Sequence, residues 1–266
     1  MIRAAVIGSP ISHSLSPKIH NRAYEILGLE STYSAIEISE QSFPNFFKEV
    51  QLEDQKVPWA GFSLTMPLKE IVLEYCRNPD PITEAINSAN TLYRDEELWK
   101  VTSTDYLAFQ NLLTISPDAK VAIIGGGGTA RAAIGALNSK VRAIDVLLRS
   151  PERLPGLVRA APNLAITSLD MSTTLDSYDL IIQTTPAGVF DEFAVNVNLA
   201  NGILLEALYR PWPSKLVERY SGLGGEIITG KQLLVEQALF QIELFSKRKF
   251  DFDVMRNQLL SHIAAD

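Results

Sequence analysis

One stretch decides the fold, Lys120-Val-Ala-Ile-Ile-Gly-Gly-Gly-Gly-Thr-Ala-Arg-Ala-Ala133. An apolar run that ends in four glycines and continues into alanine-rich sequence is typical of a strand, a tight turn and a helix. Gly125, Gly127 and Ala130 fill the small-residue positions of the G-x-G-x-x-G/A pattern, in which the backbone closely approaches a pyrophosphate. A second apolar strand at 143–148 would complete a βαβ unit of about 30 residues. The stretch therefore predicts a phosphate-binding turn at a helix N-terminus.

Length, charge and cysteine content bound the class of protein. The 266 residues, 46% hydrophobic and 21% charged, are ordinary for a folded chain, and two domains are expected. The net charge of -7 argues against a nucleic-acid surface, which needs an excess of clustered Lys and Arg. The single cysteine excludes an intrachain disulfide and is consistent with a reducing compartment. No apolar run approaches the length of a membrane span and the N-terminus is unlike a signal peptide, so we expect a cytoplasmic protein that does not enter a membrane.

Strands alternate with helices along most of the chain, which indicates an α/β protein with mostly parallel sheets. In the first hundred residues, strands are predicted at 4–7, 33–38 and 60–64, helices at 17–27 and 42–50, and a hairpin at 88–94 and 98–102. Beyond the glycine-rich unit, further strands are predicted at 164–167, 180–183 and 203–205, and a long helix at 231–245.

Several polar residues lie near strand ends or inside apolar helices, and each has an ordinary structural explanation. Ser16 would cap the first helix, and Lys69 would be a solvated residue near a helix start. Asn90 would be a turn residue and Asp105 a helix N-cap. Gln237 would be a buried glutamine that is bonded to backbone groups. From composition alone, this kind of explanation is slightly favoured for the serine-rich loop at 9–16.

The end of the second strand in the glycine-rich unit distinguishes NADP from NAD. Asp145 has nearly the spacing of the acid that binds the NAD ribose, but it falls inside the predicted strand. Arg149 stands at the strand end, followed by Ser150 and Arg153 near the start of the next helix. A guanidinium forms charge-assisted, often bidentate bonds with a phosphate and gains little from an unphosphorylated ribose. The sequence therefore predicts NADP(H).

Six spaced segments carry most of the chemically informative residues. They are Ser12-His-Ser-Leu-Ser-Pro17, Thr65-x-Pro-x-Lys69, Ala89-Asn-Thr91, Thr104-Asp105, Gly125-x-Gly-Gly128 and Gly230-x-x-Leu-Leu-x-x-Gln237. Together, in this order, they resemble the shikimate dehydrogenase family over nearly the full chain, and the stretches 88–91 and 208–213 look most like actinobacterial members. Six signatures are more specific than any one of them, so the resemblance outweighs the ordinary explanations.

The resemblance implies a substrate-binding domain at 1–104, completed by 236–266, and an NADP-binding Rossmann domain at 105–235. It implies reversible, metal-free reduction of 3-dehydroshikimate to shikimate by NADPH, in the biosynthesis of chorismate and the aromatic amino acids, by a monomer or homodimer. Lys69 and Asp105 would be the catalytic acid-base pair. Substrate contacts are expected from Ser14, Ser16, Thr65, Lys69, Asn90, Asp105, Tyr209 and Gln237. Cofactor contacts are expected from Gly125, Gly126, Gly127, Gly128, Thr129, Arg149, Ser150, Arg153, Thr184 and Gly230.

Three departures from the family pattern bear on these expectations. Ser63 and Ser103 stand where the family commonly has Asn, so a roomier or wetter hydroxyl pocket is expected. Leu148-Arg-Ser150 stands in place of an Asn-Arg-Thr cofactor motif. Two alternatives stay open. A quinate/shikimate dehydrogenase of quinate catabolism often uses NAD, and the predicted 2′-phosphate contact argues against it. A non-catalytic metabolite-sensing relative would not need to keep the acid-base pair.

Overall fold

A computed structural model of the chain describes residues 1–52, 56–76 and 79–265. The chain divides into two compact units, each with one β-sheet. Unit 1 comprises Met1–Leu107 and Leu234–Asp266, and unit 2 comprises Ala108–Leu233. The α/β class expected from the alternating pattern is confirmed.

The elements are numbered in chain order. The strands are β1 (Ile2–Gly8), β2 (Ser31–Glu37), β3 (Trp59–Leu64), β4 (Thr91–Asp95), β5 (Leu98–Thr102), β6 (Val121–Ile124), β7 (Ala143–Leu147), β8 (Ala165–Leu169), β9 (Leu180–Gln183), β10 (Ile203–Glu206) and β11 (Glu226–Ile228). The helices are α1 (Ser16–Ile26), α2 (Phe43–Leu52), α3 (Leu68–Tyr75), α4 (Pro81–Ile86), α5 (Thr104–Leu112), α6 (Gly128–Leu137), α7 (Leu154–Ala160), α8 (Lys215–Gly222), α9 (Gly230–Ser246) and α10 (Phe252–His262). Short 3-10 helices lie at Pro151–Arg153 and Ala194–Asn196.

The sheet of unit 1 has the strand order β2-β1-β3-β4-β5. Strand β1 is parallel to β2 and β3, whereas β4 is antiparallel to both β3 and β5. The carboxyl ends of β1, β3 and β5 therefore meet the amino end of β4, and we call this side the carboxyl end of the sheet. Phe43, Phe62 and Leu92 are fully buried in the core between α2 and the sheet.

The sheet of unit 2 has the order β11-β10-β9-β6-β7-β8, and the pairings between its described strands are parallel. Numbered from β6, this is the 3-2-1-4-5-6 order of the doubly wound dinucleotide-binding fold. The winding reverses between β6 and β9, and ligands of such sheets bind at that switch point. All residues of β6 and β9 are buried, as expected for strands covered on both faces.

Local expectations failed where a cap or a very short strand was involved. Helix α1 begins at Ser16 itself and Leu15 occupies the cap position without a side-chain bond, so the prediction that Ser16 caps the helix is wrong. The N-cap explanation of Asp105 is also wrong, because α5 already begins at Thr104. Helices α8 and α10 and strand β11 were not predicted from the sequence pattern. The signal for α8 was Ser214, whose hydroxyl caps it by accepting the Val217 N–H.

No helix among the described parts of the chain is long and apolar enough to cross a membrane.

Candidate active site

The carboxyl end of the sheet in unit 1 gathers several of the predicted polar residues. Thr65 follows β3, and Lys69 is the second residue of α3. Because β4 is reversed, Asn90 lies beside them, and its carbonyl accepts the Leu64 N–H at 2.8 Å. Asp105 follows β5 at the start of α5. The reversed strand is thus what brings Asn90 to the same end of the sheet as the lysine.

The side-chain amide of Asn90 is the centre of this group. Its Nδ2 lies 2.8 Å from Oδ1 of Asp105, 3.0 Å from Oε1 of Gln237 and 2.9 Å from Oγ1 of Thr104. Its Oδ1 accepts the backbone N–H groups of Thr104 at 2.7 Å and Asp105 at 3.3 Å. Asn90 is 2% exposed, so these protein bonds replace those to water. Its side chain is therefore held in one orientation.

Lys69 and Asp105 form an ion pair with Nζ 2.6 Å from Oδ2. The Lys69 and Asp105 side chains are 20% and 9% exposed, so the pair is largely shielded from solvent but a small molecule can still contact it. Since Oδ1 of Asp105 is bonded to Asn90, both carboxylate oxygens are engaged and the direction of the carboxylate is fixed. The Lys69 carbonyl accepts the Ala89 N–H at 2.8 Å, which ties the start of α3 to the same group. The pair can transfer a proton to an oxygen beside the ammonium and stabilise the resulting charges.

Two glutamines of α9 contact Asn90 from one face of that helix. Gln237 accepts from the Asn90 side chain, and its own Nε2 donates to the Leu234 carbonyl at 2.7 Å. Gln241 is fully buried and donates to the Asn90 carbonyl at 3.0 Å. Gln241 was not among the site residues expected from the sequence. Its signal was a second glutamine four residues after Gln237 in an otherwise apolar helix, a spacing that places both on one face.

The serine-rich loop after β1 lies at the same end of this sheet. The Ser9 N–H donates to the Met66 carbonyl at 2.9 Å, so the loop touches the segment after β3. The Ser14 hydroxyl accepts the Ser16 N–H at 3.3 Å, and Ser16 is 5% exposed. Tyr209 lies in unit 2, on the loop after β10, and its partnership with these serines stays a prediction.

The two serines that replace family asparagines have partners inside unit 1. The Ser63 hydroxyl accepts from the Tyr33 hydroxyl at 2.6 Å and donates to Oε1 of Gln241 at 2.6 Å. The Ser103 hydroxyl accepts the Tyr106 N–H at 3.3 Å, in the first turn of α5. Both serines are 4% exposed. The Ser63 hydroxyl therefore bonds to buried side chains, and the Ser103 hydroxyl bonds to the first turn of α5.

The glycine loop lies at the switch point of the sheet in unit 2. Gly125 has a φ of 108°, and a Cβ there would lie 2.7 Å from Oγ1 of Thr184, which follows β9. Both the N–H and the hydroxyl of Thr184 bond to the Ile124 carbonyl, at 3.0 and 2.7 Å. A Cβ at Gly127 would meet no atom within 4 Å, and Gly127 caps α6 without a side-chain bond. This open space over a helix N-terminus that continues through Gly128 and Thr129 fits a pyrophosphate.

Exposed arginines flank the glycine loop. Arg149 and Arg153 are exposed, and Ser150 precedes the 3-10 helix that contains Arg153. A Cβ at Gly126 would lie 3.1 Å from the Cβ of Arg153, which places that side chain against the loop. Asp145 is engaged elsewhere, because its Oδ2 accepts from the Tyr178 hydroxyl at 2.8 Å. The residues present fit a phosphorylated ribose better than a free one.

A buried carboxylate holds the loop after β10. Glu206 is 0% exposed, and its two oxygens accept the Leu208 N–H at 3.1 Å and the Ser214 hydroxyl at 2.7 Å. Burial raises the pKa of Glu206 to about 7. Gly230 packs on the other side of this loop, since a Cβ there would lie 2.3 Å from the Leu208 carbonyl oxygen. Glu206 was not among the residues expected from the sequence, since no local pattern distinguishes it from a surface acid. The carboxylate fixes the backbone next to Tyr209.

A cavity of about 450 Å³ lies in unit 2, at the amino ends of β9 and β10. Leu113, Ile115, Leu180 and Ile203 are among its lining residues. The glycine loop follows the carboxyl end of β6, at the opposite end of the sheet. The cavity is therefore not the dinucleotide site.

The chain is similar in sequence to known shikimate dehydrogenases. Residues 6–92 match the sequence profile described as the shikimate dehydrogenase substrate binding domain. A shikimate dehydrogenase (NADP(+)) of Exiguobacterium sp. is 31% identical over 253 residues, which cover 93% of this chain and 94% of the relative.

Solved structures show the same similarity over the full length. The shikimate dehydrogenase of Mycobacterium tuberculosis matches with a TM-score of 0.86 and 30% identity, covering 98% of this chain and 99% of that chain. The shikimate 5-dehydrogenase of Thermus thermophilus, solved in complex with NADP(H) and shikimate, matches with a TM-score of 0.82 and 26% identity, covering 99% and 100%.

Proposed function

The chain belongs to the shikimate dehydrogenase family, and from that premise we propose that it catalyses the reversible NADP(H)-dependent interconversion of 3-dehydroshikimate and shikimate. The observation that carries the proposal is the Lys69–Asp105 pair, 2.6 Å apart, with Asn90 and Gln237 bonded beside it. A protein that only sensed the metabolite would not need this pair. We place the reaction in the cytoplasm, where the reducing conditions expected for a chain with one cysteine prevail.

In the proposed mechanism Lys69 is the general acid of the reduction. NADP(H), when bound, supplies or takes up the hydride. Lys69 gives a proton to the carbonyl oxygen of 3-dehydroshikimate as negative charge develops there, and in the reverse direction it takes the proton from the hydroxyl. Asp105 holds the Nζ in place through the hydrogen bond between them. Because Asp105 is itself held by Asn90, the geometry is set before substrate arrives.

Substrate recognition is assigned to two groups of residues. Ser14 and Ser16, near the start of α1, suit a carboxylate because hydroxyls and a helix N-terminus both favour an anion. Tyr209 is proposed to join them. Thr65 and Gln237, with Asn90, Lys69 and Asp105, are proposed to bind the ring hydroxyls, which need several donors and acceptors at fixed positions.

The cofactor site is assigned to the switch point of unit 2. The N-terminus of α6 at Gly125–Thr129 would hold the pyrophosphate, and Thr184 and Gly230 would lie on the nicotinamide side. Arg149, Ser150 and Arg153 would hold the 2′-phosphate. The engagement of Asp145 by Tyr178 supports this assignment, since the acid that would favour NAD is not directed to the strand end.

A direct assay tests the function. NADPH absorbance is followed with 3-dehydroshikimate, and then the formation of reduced cofactor is followed with NADP and NAD, each with shikimate and with quinate. We expect turnover of 3-dehydroshikimate and shikimate, with NADP preferred. Absence of turnover with both would contradict the proposal, and equal or faster turnover of quinate with NAD would assign the chain to quinate catabolism.

A further inference from the structure

The side-chain amide of Gln241 uses all four of its hydrogen-bonding positions inside unit 1. Its Oε1 accepts from the Ser63 hydroxyl at 2.6 Å and lies 3.3 Å from Nε2 of His20. Its Nε2 donates to the Asn90 carbonyl at 3.0 Å and to Oγ1 of Thr91 at 2.9 Å. Gln241 is 0% exposed, so no water competes for these positions.

The surrounding groups permit only one direction for this amide. Tyr33 donates to Ser63, so the Ser63 proton points to Gln241. Burial lowers the pKa of His20 to about 3, so the ring is neutral and has a single N–H. The Asn90 carbonyl can only accept, so the Gln241 NH2 group faces it and the Gln241 oxygen faces His20; the tautomer that fits carries its hydrogen on Nε2 and accepts from the Tyr24 hydroxyl at Nδ1, 3.2 Å away. A turned amide would place its oxygen against the Asn90 carbonyl oxygen, where neither atom can donate.

Two residues, Asn90 and Asp105, connect Gln241 to the reacting ammonium. Gln241 holds the backbone carbonyl of Asn90, and the Asn90 side chain holds Asp105, which holds Lys69. The same face of α9 holds the Asn90 side chain through Gln237. Helix α9 therefore fixes Asn90 at both its backbone and its side chain.

We propose that Gln241 is a positioning residue of this active site. Supported by Ser63 and His20, it sets the place of Asn90 and, through Asn90, of Asp105. It follows that the Ser63 hydroxyl is not a substrate contact in this chain, although it occupies a position where the family commonly has Asn. The inference rests on the proposed function, because its main readout is shikimate oxidation.

The first test replaces Gln241 by Leu, which is close in size but has no hydrogen-bonding groups. The Asn90 carbonyl loses one of its two bonds, and the Ser63 and His20 hydrogens lose their acceptor. We expect kcat for shikimate oxidation to fall about 10- to 100-fold, because an unsatisfied buried group lets the Asn90 backbone shift. A folded Gln241→Leu protein with wild-type kcat overturns the proposal.

A matched control weakens the same helix without touching Asn90. Arg256 of α10 forms a bidentate ion pair with Glu236, which is fully buried on α9 next to Gln237. Removing the arginine deprives that buried carboxylate of the opposing charge of Arg256, which lowers stability. We expect Arg256→Ala to lower Tm while kcat stays within about twofold of wild type. An equal loss of kcat in Arg256→Ala would show that α9 stability, not Gln241, controls the rate.

A second variant keeps the proposal testable if the leucine variant does not fold. In Gln241→Glu the protonated acid can donate to the Asn90 carbonyl and accept from Ser63, whereas the ionised acid has no donor. We expect the kcat of Gln241→Glu relative to wild type to fall as pH rises through the ionisation of this buried acid. In the wild type His20 stays neutral and Tyr33 stays protonated over about pH 5 to 9, because burial lowers the pKa of His20 and raises that of Tyr33, so neither group gives the reference a pH dependence there. In the variant the new acid titrates together with the neighbouring His20, and its ionised form has no donor for the Asn90 carbonyl. A pH-independent ratio to wild type overturns the proposal.

A third variant tests the position of Ser63. We expect Ser63→Ala to lower kcat by about 3- to 10-fold, because Gln241 loses one donor, with the calorimetric Kd for shikimate within about twofold of wild type. A tenfold weaker Kd at unchanged kcat would make Ser63 a substrate contact and overturn this part of the inference. If the wild type does not oxidise shikimate, the proposed function fails instead, and the two failures are distinguishable.

Discussion

Replacing Asp105 by Asn tests the proposed acid-base pair with the smallest change of shape. In the wild type, Oδ1 of Asp105 accepts from Asn90 at 2.8 Å and Oδ2 accepts from Lys69 at 2.6 Å. An amide has one oxygen and one NH2 group, so in either orientation its NH2 group faces another donor. At least one hydrogen bond to a charged group is lost, which costs about 1.5 to 3 kcal/mol. If the loss falls on the transition state, kcat/KM for shikimate falls about 10- to 150-fold.

The assay compares initial rates of NADP reduction by shikimate, after circular dichroism has shown that the variant is folded. The chain offers a matched control in Asp95, whose Oδ2 also lies 2.6 Å from a lysine, Lys100. Those side chains are 41% and 47% exposed, and pairs of this kind contribute little. Asp95→Asn should therefore keep kcat/KM within about twofold. Wild-type kcat/KM in Asp105→Asn, or an equal loss in Asp95→Asn, would refute the reasoning.

Four further predictions concern the lysine, the carboxylate site, the cofactor and stability. Lys69→Ala should lower kcat by about 10² to 10⁴, far more than it raises KM, because its proton is needed in the transition state; steady-state kinetics with an unchanged kcat would remove it from the mechanism. Replacing both Ser14 and Ser16 by Ala should weaken shikimate binding by about 2 to 4 kcal/mol, measured by calorimetry, and an unchanged Kd would place the carboxylate elsewhere. Arg149→Ala should reduce the NADP-over-NAD preference in kcat/KM by about 10- to 100-fold, and an unchanged ratio would contradict the 2′-phosphate assignment. The pKa of Glu206 is raised from 4.5 to about 7 in the folded state, so its contribution to stability is full below about pH 4.5 and is lost as pH rises to about 7. The side chain in Glu206→Gln cannot ionise. Between these pH values, the free energy of unfolding, measured by urea denaturation, should therefore fall by about 3 kcal/mol less in Glu206→Gln than in wild type. If the free energies of both proteins change equally with pH, the carboxylate ionises normally.

Local chemistry made the glycine-rich unit predictable. A run of apolar residues, four glycines and small helix formers fix a strand, a turn and a helix within a few residues of where β6 and α6 lie. Contacts of this kind are close in sequence, so periodicity and glycine positions carry most of the information. The same holds for β9, whose four buried residues were predicted with their bounds.

The assembly of the candidate active site could not be predicted from spacing. Asn90 and Gln237 are 147 residues apart and meet only because β4 is reversed and α9 returns to unit 1. Family resemblance supplied the candidates and the pairing of Lys69 with Asp105, but not the bonds that join Asn90 to Asp105 and to Gln237. Gln241 was missed for the same reason, since its four partners come from distant segments. Ser63 shows most clearly what spacing could not predict. Its short side chain suggested a wetter pocket, whereas its hydroxyl accepts a hydrogen bond from Tyr33, which lies 30 residues away in the sequence.

The reversal of β4 also places the two ends of the β4–β5 hairpin at opposite ends of the sheet, so they differ in how well they tolerate an insertion. Asn90 precedes the amino end of β4, whereas the turn to β5, at Glu96 and Glu97, lies at the far end of the same sheet. That turn is exposed at Glu96, and no residue proposed for catalysis belongs to it. Residues can therefore be inserted there without moving the catalytic group. The hairpin turn is a position for a fused tag, a spectroscopic probe or new chain termini in an otherwise active enzyme.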